Sequence, residues 1–213
     1  MPQKLDRAQV VDTALRLLNE VGLEGLTLRR IATELDVKAP ALYWHFANKQ
    51  ALLDELATEM LRRLIADSEP PGDDTPWQEQ LALTCRALRR ALLGYRDGAK
   101  VFSGTRLTDA GHGERLEGQL RAFVRAGFDL DGAVEAYFTA YTFTVGFVIE
   151  EQAVQPMPGE RSPGYDPADR AAALGPDLPL SAAAGPGLFT DYDHRFERGL
   201  AIVTAGVEAL RTA

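Results

Sequence analysis

Between Thr27 and Phe46 the chain fits two helical patterns and a turn into twenty residues. Thr27 can cap the first helix, which places Ile31, Ala32 and Leu35 on one face. Asp36-Val37-Lys38 makes the turn. Pro40 then falls in the first turn of a second helix, Ala39 to Phe46, where its missing N–H costs nothing. A helix of about two turns is marginal in water by itself, so the pair has to be held by flanking helices.

Those flanking helices are legible. Asp6-Arg7-Ala8-Gln9 has the form of a capping box, and Val10, Ala14, Leu17, Leu18 and Val21 recur at three- and four-residue steps until Gly22. On the other side Asn48 can cap a helix from Lys49 to about Asp67 carrying Leu52, Leu53, Leu56, Met60 and Leu61. Ser68 to Asp74 is polar and rich in Pro and Gly, hence a loop. It divides the chain into an expected head, residues 1–67, and a body, residues 75–213.

In the body, Thr75-Pro76-Trp77-Gln78 restarts a helix with a Thr75 cap, running to about Leu93. Shorter patterns cover about Ala99 to Thr105 and Glu114 to Ala126, and a long apolar helix spans about Leu130 to Gln152. Residues 153–189 hold seven of the twelve prolines and are expected to form a mobile loop that can include one helical turn near Asp169 to Leu174. The last helix, about Thr190 to Arg211, is expected to bury Phe196, Leu200, Val203, Val207 and Leu210. With no strand-period alternation, the fold class is all-α.

The formal net charge is −8, yet residues 1–66 carry nine cations and nine anions and are neutral, so the whole excess lies in the body. An acidic body with a neutral head can still grip phosphates on one face. Cys85 is alone, fits a reducing compartment and sits in a helical pattern that predicts a buried thiol. The amino terminus has no apolar signal core, and the nearly uncharged stretch Ala136 to Ile149 is too short to cross a bilayer, so a cytoplasmic protein with no membrane partner is expected.

Two short helices around a tight turn are the arrangement that sets a helix in the DNA major groove. The candidates for the exposed side are Lys38, Ala39, Ala41, Tyr43 and His45, with Leu42 and Phe46 facing inward. Tyr43 and His45 have polar tips for phosphate oxygens, Lys49 adds a cation and helix-start N–H groups, and Arg29 and Arg30 offer a guanidinium for guanine. By spacing alone, a packed helical hairpin would serve equally well.

The residues go further than the spacing. Leu26-Thr27-Leu28-Arg29-Arg30-Ile31-Ala32 followed by Val37-Lys38-Ala39-Pro40-Ala41-Leu42-Tyr43-Trp44-His45-Phe46-Ala47-Asn48-Lys49 resembles the signature of the tetracycline-repressor family. Tyr95-Arg96-Asp97-Gly98-Ala99-Lys100-Val101, Gly104-Thr105-Arg106 and Gly146-Phe147-Val148-Ile149-Glu150-Glu151-Gln152 extend the resemblance through the body, and it fails mainly within 153–189. It implies a dimeric transcription factor that a small molecule releases from a palindromic operator, with no cofactor. It also implies DNA-contacting roles for Thr27, Arg29, Pro40, Tyr43, His45 and Lys49. Ala39 and Ala41 stand where the family's namesake reads bases with Gln and Thr, so a different operator is expected.

For the effector, the resemblance assigns Leu88, Thr105, Arg106, Leu116, Gln119, Val134, Tyr137, Tyr141, Thr142 and Glu150 to the pocket. Phe102, Glu150, Ile65 and Thr84 occupy the positions that serve Mg²⁺ and the drug's polar edge in the namesake. Phenylalanine cannot ligate a hard cation and Glu150 alone is a poor Mg²⁺ site, so no metal site is expected and the effector should be flat and largely apolar. Phe138, Tyr141, Phe143 and Phe147 could equally be core, dimer or ligand contacts. The helices at about 130–152 and 190–211 carry apolar faces too extensive for one subunit, consistent with a homodimer seam.

An enzyme is the principal rival. His45, His112 and His194 lack metal-ligand spacing, and there is no phosphate loop or nucleophile motif. His112 and His194 are expected at the surface, and Glu150 and Glu151, adjacent on a helix, point apart on a solvated face. A DNA-binding dimer without a small-molecule effector is the second rival.

Overall fold

In the computed structural model, which describes residues 5–72 and 74–211, every element among the described residues is helical. The Lys4 charge, the Met1 to Lys4 leader reading and Asp73 of the linker lie outside the described residues. The first helix, α1 (Arg7–Gly25), begins on the expected capping box: Asp6 accepts from the Gln9 N–H and Gln9 reaches back to the Asp6 N–H. Gly22, at φ 70°, leaves the helical region, so the pattern breaks where the sequence says it should. α2 (Leu28–Glu34) and α3 (Ala39–Tyr43) follow, then α4 (Lys49–Ala66), capped by Asn48 onto the Ala51 N–H.

One core holds this head together. Val10, Ala14 and Leu18 of α1, Ile31 of α2, Leu42 and Phe46 around α3, and Leu52 and Leu56 of α4 are all essentially solvent-free. Each of the larger of these side chains contributes about 1.5–3 kcal/mol by leaving water, which is how the two short helices are kept folded.

The body is α5 (Trp77–Leu93), α6 (Gly98–Phe102), α7 (Gly113–Arg125), α8 (Leu130–Val154), α9 (Pro167–Leu174), α10 (Pro179–Ala183), α11 (Gly185–Phe189) and α12 (Tyr192–Arg211). α8 is the axis, packed by α5, α6, α7 and α12. At 25 residues it has the length to cross a bilayer, contrary to the sequence expectation. Its packing makes it a core helix, with Ala133, Ala140, Thr144 and Val148 against its neighbours.

Four further expectations are corrected. Residues 153–189 are not one loop: α9, α10 and α11 pack on one another, and α9 starts on a side-chain cap from Asp166, which accepts from the Ala168 and Asp169 N–H groups. Thr75 does not cap α5; Pro76 is the boundary residue, and Gln80 donates to the Thr75 carbonyl instead. Leu210 is 70% exposed rather than buried, while Val207, one turn earlier, is covered. Glu151 is buried, not solvated: Arg89 of α5 grips it with two nitrogens at 2.8 and 2.7 Å and lies over the Phe196 ring. Phe143 stacks on Phe196 and Phe147 meets it edge-on, so these two half-buried rings pack against the core.

Gln152, near the end of α8, joins three backbone segments with one amide. Its Nε2 donates to the Leu92 and Tyr95 carbonyls, and its Oε1 accepts from the Ala99 N–H. Beside it Gly98 comes so close to the Leu92 carbonyl oxygen that a Cβ would sit 2.3 Å away, so only glycine fits there.

Candidate nucleic-acid interface and ligand cavity

Thr27 accepts from the Arg30 N–H at 3.2 Å, fixing the start of α2. Asp36, at φ 52°, makes the left-handed step of the turn, and the Val37 N–H closes it on the Ala32 carbonyl. α3 ends at Tyr43, three residues earlier than expected, but the inward pair Leu42 and Phe46 is confirmed at 0% and 1% exposure. Thr27, Arg29, Arg30, Lys38, Pro40 and Tyr43 are exposed together on this hairpin, while Ala39, Ala41 and His45 are half-buried.

Two findings alter the candidate list. Trp44 is 90% exposed and was missed, although it lies between the buried Leu42 and Phe46 and could have been placed outward from their four-residue spacing. Lys49 is partly withdrawn: its ammonium donates to the Leu23 carbonyl at 2.9 Å.

Glu55 of α4 is buried and collects the neighbouring elements. Arg7 of α1 donates to it from Nε and Nη2, Arg62 from Nη1 and Thr108 from its hydroxyl. Burial alone pushes the carboxyl up, but the Arg7 and Arg62 hydrogen bonds outweigh it and hold Glu55 below the usual carboxylate range. Arg7 Nη1 also donates to the His45 carbonyl, and the Thr108 N–H donates to Thr58. The segment after α6 is thus hydrogen-bonded, through one carboxylate, to the end of the recognition hairpin.

That segment forms one wall of a cavity of about 300 Å³ enclosed by α4, α5, α6, α7 and α8. Of the expected pocket residues, Ile65, Thr84, Leu88, Phe102, Thr105, Leu116, Tyr137, Phe138 and Tyr141 line it. Gln119 lines an adjoining cavity that shares Ile65, Thr84, Arg115 and Tyr137. Arg106, Val134, Thr142 and Glu150 do not line it; all four are exposed, Val134 at 47%. For Thr142 and Glu150 the reason is helical phase, since Tyr137, Phe138 and Tyr141 occupy the face of α8 turned to the cavity, whereas Val134 shares that face but lies a turn nearer the start of the helix.

Sequence reasoning missed Leu61, Leu64, Ala87, Leu107, His112 and Arg115. His112, expected at the surface, turns its Nδ1 inward, buried and unpartnered. Gln119 donates from Nε2 to Thr84 at 2.9 Å and leaves its buried Oε1 unpartnered. Two orphaned polar atoms beside an apolar hollow carry the desolvation cost of unmade hydrogen bonds, which a bound molecule would remove. Burial pushes the Tyr137 phenol up to about 12, so it stays neutral.

An exposed helix-turn-helix joined by hydrogen bonds to a ligand-sized cavity defines a ligand-responsive DNA-binding regulator. Comparison with known proteins gives the family. The profile "Bacterial regulatory proteins, tetR family" matches residues 10–56 and "Tetracyclin repressor-like, C-terminal domain" matches residues 69–211. The tetracycline repressor protein class A from transposon 1721 of Escherichia coli is 44% identical over 208 residues, 98% of this chain and 93% of that protein. A possible TetR family transcriptional regulator from Streptomyces coelicolor A3(2) superposes with a TM-score of 0.84 at 40% identity, covering 96% of this chain and 100% of that one. TetR from Acinetobacter baumannii AYE gives a TM-score of 0.74 at 36% identity, covering 99% and 100%; a variant of it complexed with minocycline gives 0.75 at 37%, with the same coverage. The chain belongs to the TetR family of transcriptional regulators, and it is not an enzyme.

Proposed function

We propose that the protein is a cytoplasmic repressor that holds a palindromic operator as a two-fold dimer and leaves it when a small, largely apolar aromatic molecule enters the cavity. The DNA-facing set is Thr27, Arg29, Arg30, Lys38, Ala39, Pro40, Ala41, Tyr43, Trp44 and His45, with the α4 start at Lys49 beside it. The functional division falls in the linker, with residues 1–67 for DNA and 75–213 for effector and dimer. Ile202, at 70% exposure, lies on an outward apolar face of α12 that a second subunit would cover together with the outer side of α8.

The observation that carries the mechanism is the double attachment of Glu55, to Thr108 beyond the cavity wall and, through Arg7, to the His45 carbonyl. A ligand that pushes Thr105 and Leu107 outward moves Thr108 and therefore tilts α4 with the hairpin. Two recognition helices about 34–36 Å apart then lose their register on DNA. The ligand must bind this released state more tightly than the DNA-bound one.

The A. baumannii relative's variant is complexed with minocycline. Here Phe102 stands in the cavity wall and Glu150 faces solvent, so the cavity offers no carboxylate to a divalent cation. This favours an apolar effector over a drug–metal complex.

Selection from random duplexes with the purified protein tests the reading. A palindrome with half-sites one turn or a multiple apart, released on adding an aromatic compound that raises Tm, is the expected result. A monomer that enriches no palindrome at low salt would overturn it.

A further inference from the structure

We propose that the effector is an aromatic acid, whose carboxylate or similarly acidic group seats against Arg115 and His112. This rests on the cavity being the effector site and adds the charge of what enters it.

Among the described residues no Asp or Glu lines the cavity, and Arg115 and His112 are its only side chains able to carry positive charge. Arg115 is half-buried, and its Nη2 meets only neutral acceptors: the Ile65 carbonyl at 3.1 Å, the Ser68 hydroxyl at 2.8 Å and the Ser68 carbonyl. Arg62, Arg63, Arg86, Arg89 and Arg96 each hold a carboxylate; among the described residues none pairs with Arg115. A guanidinium partly removed from water with neutral partners alone retains most of its attraction for an anion.

His112 provides the second contact. Its orphaned Nδ1 lies three residues before Arg115, one helical turn away, so both side chains reach the same wall. They stand at the start of α7, where the helix dipole adds partial positive charge. The nearest competing carboxylates are engaged or turned aside: Asp109 is bound to Arg62 and the Gly111 N–H, and Glu114 is an exposed residue lining the adjoining cavity.

The remaining walls fix the rest of the molecule. Phe102, Tyr137, Phe138 and Tyr141 present a run of rings, with Tyr137 and Tyr141 stacked at 6.5 Å and Phe102 6.3 Å from Tyr141. About 300 Å³ accommodates a flat body of two or three fused rings.

The test is isothermal titration of the full-length protein with a panel of two- and three-ring acids, anthraquinone-2-carboxylic acid among them, each beside its uncharged carboxamide. The acid should bind at least about ten-fold more tightly than its amide. That preference should fall below about three-fold in His112→Asn and Arg115→Gln, and persist in Arg115→Lys, which keeps the charge. Equal binding of acid and amide to the unaltered protein would overturn the acid assignment and leave the cavity as effector site. Failure of every acid and every amide to bind would overturn the cavity assignment itself. Both results come from the unaltered protein, so a variant that misfolds does not decide the matter.

Discussion

Arg7 grips Glu55 from Nε at 3.0 Å and Nη2 at 2.5 Å, while its remaining nitrogen holds the His45 carbonyl at 2.7 Å. One side chain therefore bolts α1 to α4 and to the end of the recognition hairpin. Glu55→Gln removes the charge that both guanidinium groups attract. At about 1–3 kcal/mol, and about 2–4 °C per kcal/mol for a chain of this size, Tm should fall by roughly 2–12 °C at pH 7. Because the folded carboxyl titrates below its ordinary value, its stabilisation is complete above that value and is lost as pH falls through the folded one. The gap between the two proteins should hold from pH 8 to 5 and close below about pH 4. Thermal melts across pH would show it; a gap undiminished at pH 3 would mean the charge contributes nothing.

Lys38 and Lys49 should behave differently on DNA, although both are candidates for the DNA-facing side. Lys38 is exposed at the head of α3, so Lys38→Ala should lower the slope of log affinity against log salt by about 0.9 per subunit. Lys49 spends its ammonium on the Leu23 carbonyl, so Lys49→Ala should chiefly lower Tm and leave the slope close to the parent's. Filter binding between 50 and 200 mM salt separates the two. Equal slope changes would refute the distinction.

Ile202, 70% exposed on α12, is placed to report on subunit pairing. Ile202→Glu sets a carboxylate from each subunit into an apolar seam, at a cost of several kcal/mol. Sedimentation should show monomers at micromolar concentration, and affinity for a palindromic duplex should collapse while the single chain stays helical by circular dichroism. A variant that remains dimeric would move the seam elsewhere.

Cys85 should be chemically silent. Burial pushes its thiol up to about 11, and the Sγ faces the Ala140 carbonyl. At pH 8 about one molecule in a thousand would carry the thiolate. Ellman's reagent should therefore report almost no thiol in the native protein and one per chain in urea. Rapid native labelling would show that α5 and α8 separate readily.

The helix starts of the head were readable because each is a local event, whereas the end of α3 fell three residues early. Asp6, Thr27 and Asn48 cap where their side chains predict, and Gly22 breaks α1 because only the backbone at that point decides it. What failed depends on distant partners. Glu151 looked solvated until Arg89, 62 residues earlier, arrived beside it, and His112 looked like a loop residue until α7 turned it inward. Residues 153–189 misled for a different reason: three of their seven prolines, Pro167, Pro179 and Pro186, sit at the first turns of α9, α10 and α11, where proline starts a helix as readily as it ends one. In the cavity the family likeness named most of the wall, but it could not supply Leu107 or Arg115, whose positions follow from how the segment after α6 folds back.

The amide of Gln152 and the close approach at Gly98 have a mechanical corollary. Gln152 of α8 ties the Ala99 N–H at the start of α6 to the Leu92 and Tyr95 carbonyls around the end of α5, and at Gly98 the gap is too small for a methyl group. Its far end runs into Gly104, at φ 69° with open space around it. A molecule swelling the hollow would press on the Phe102 end, so α6 would turn like a door hung at Gln152, with Thr108 as its latch.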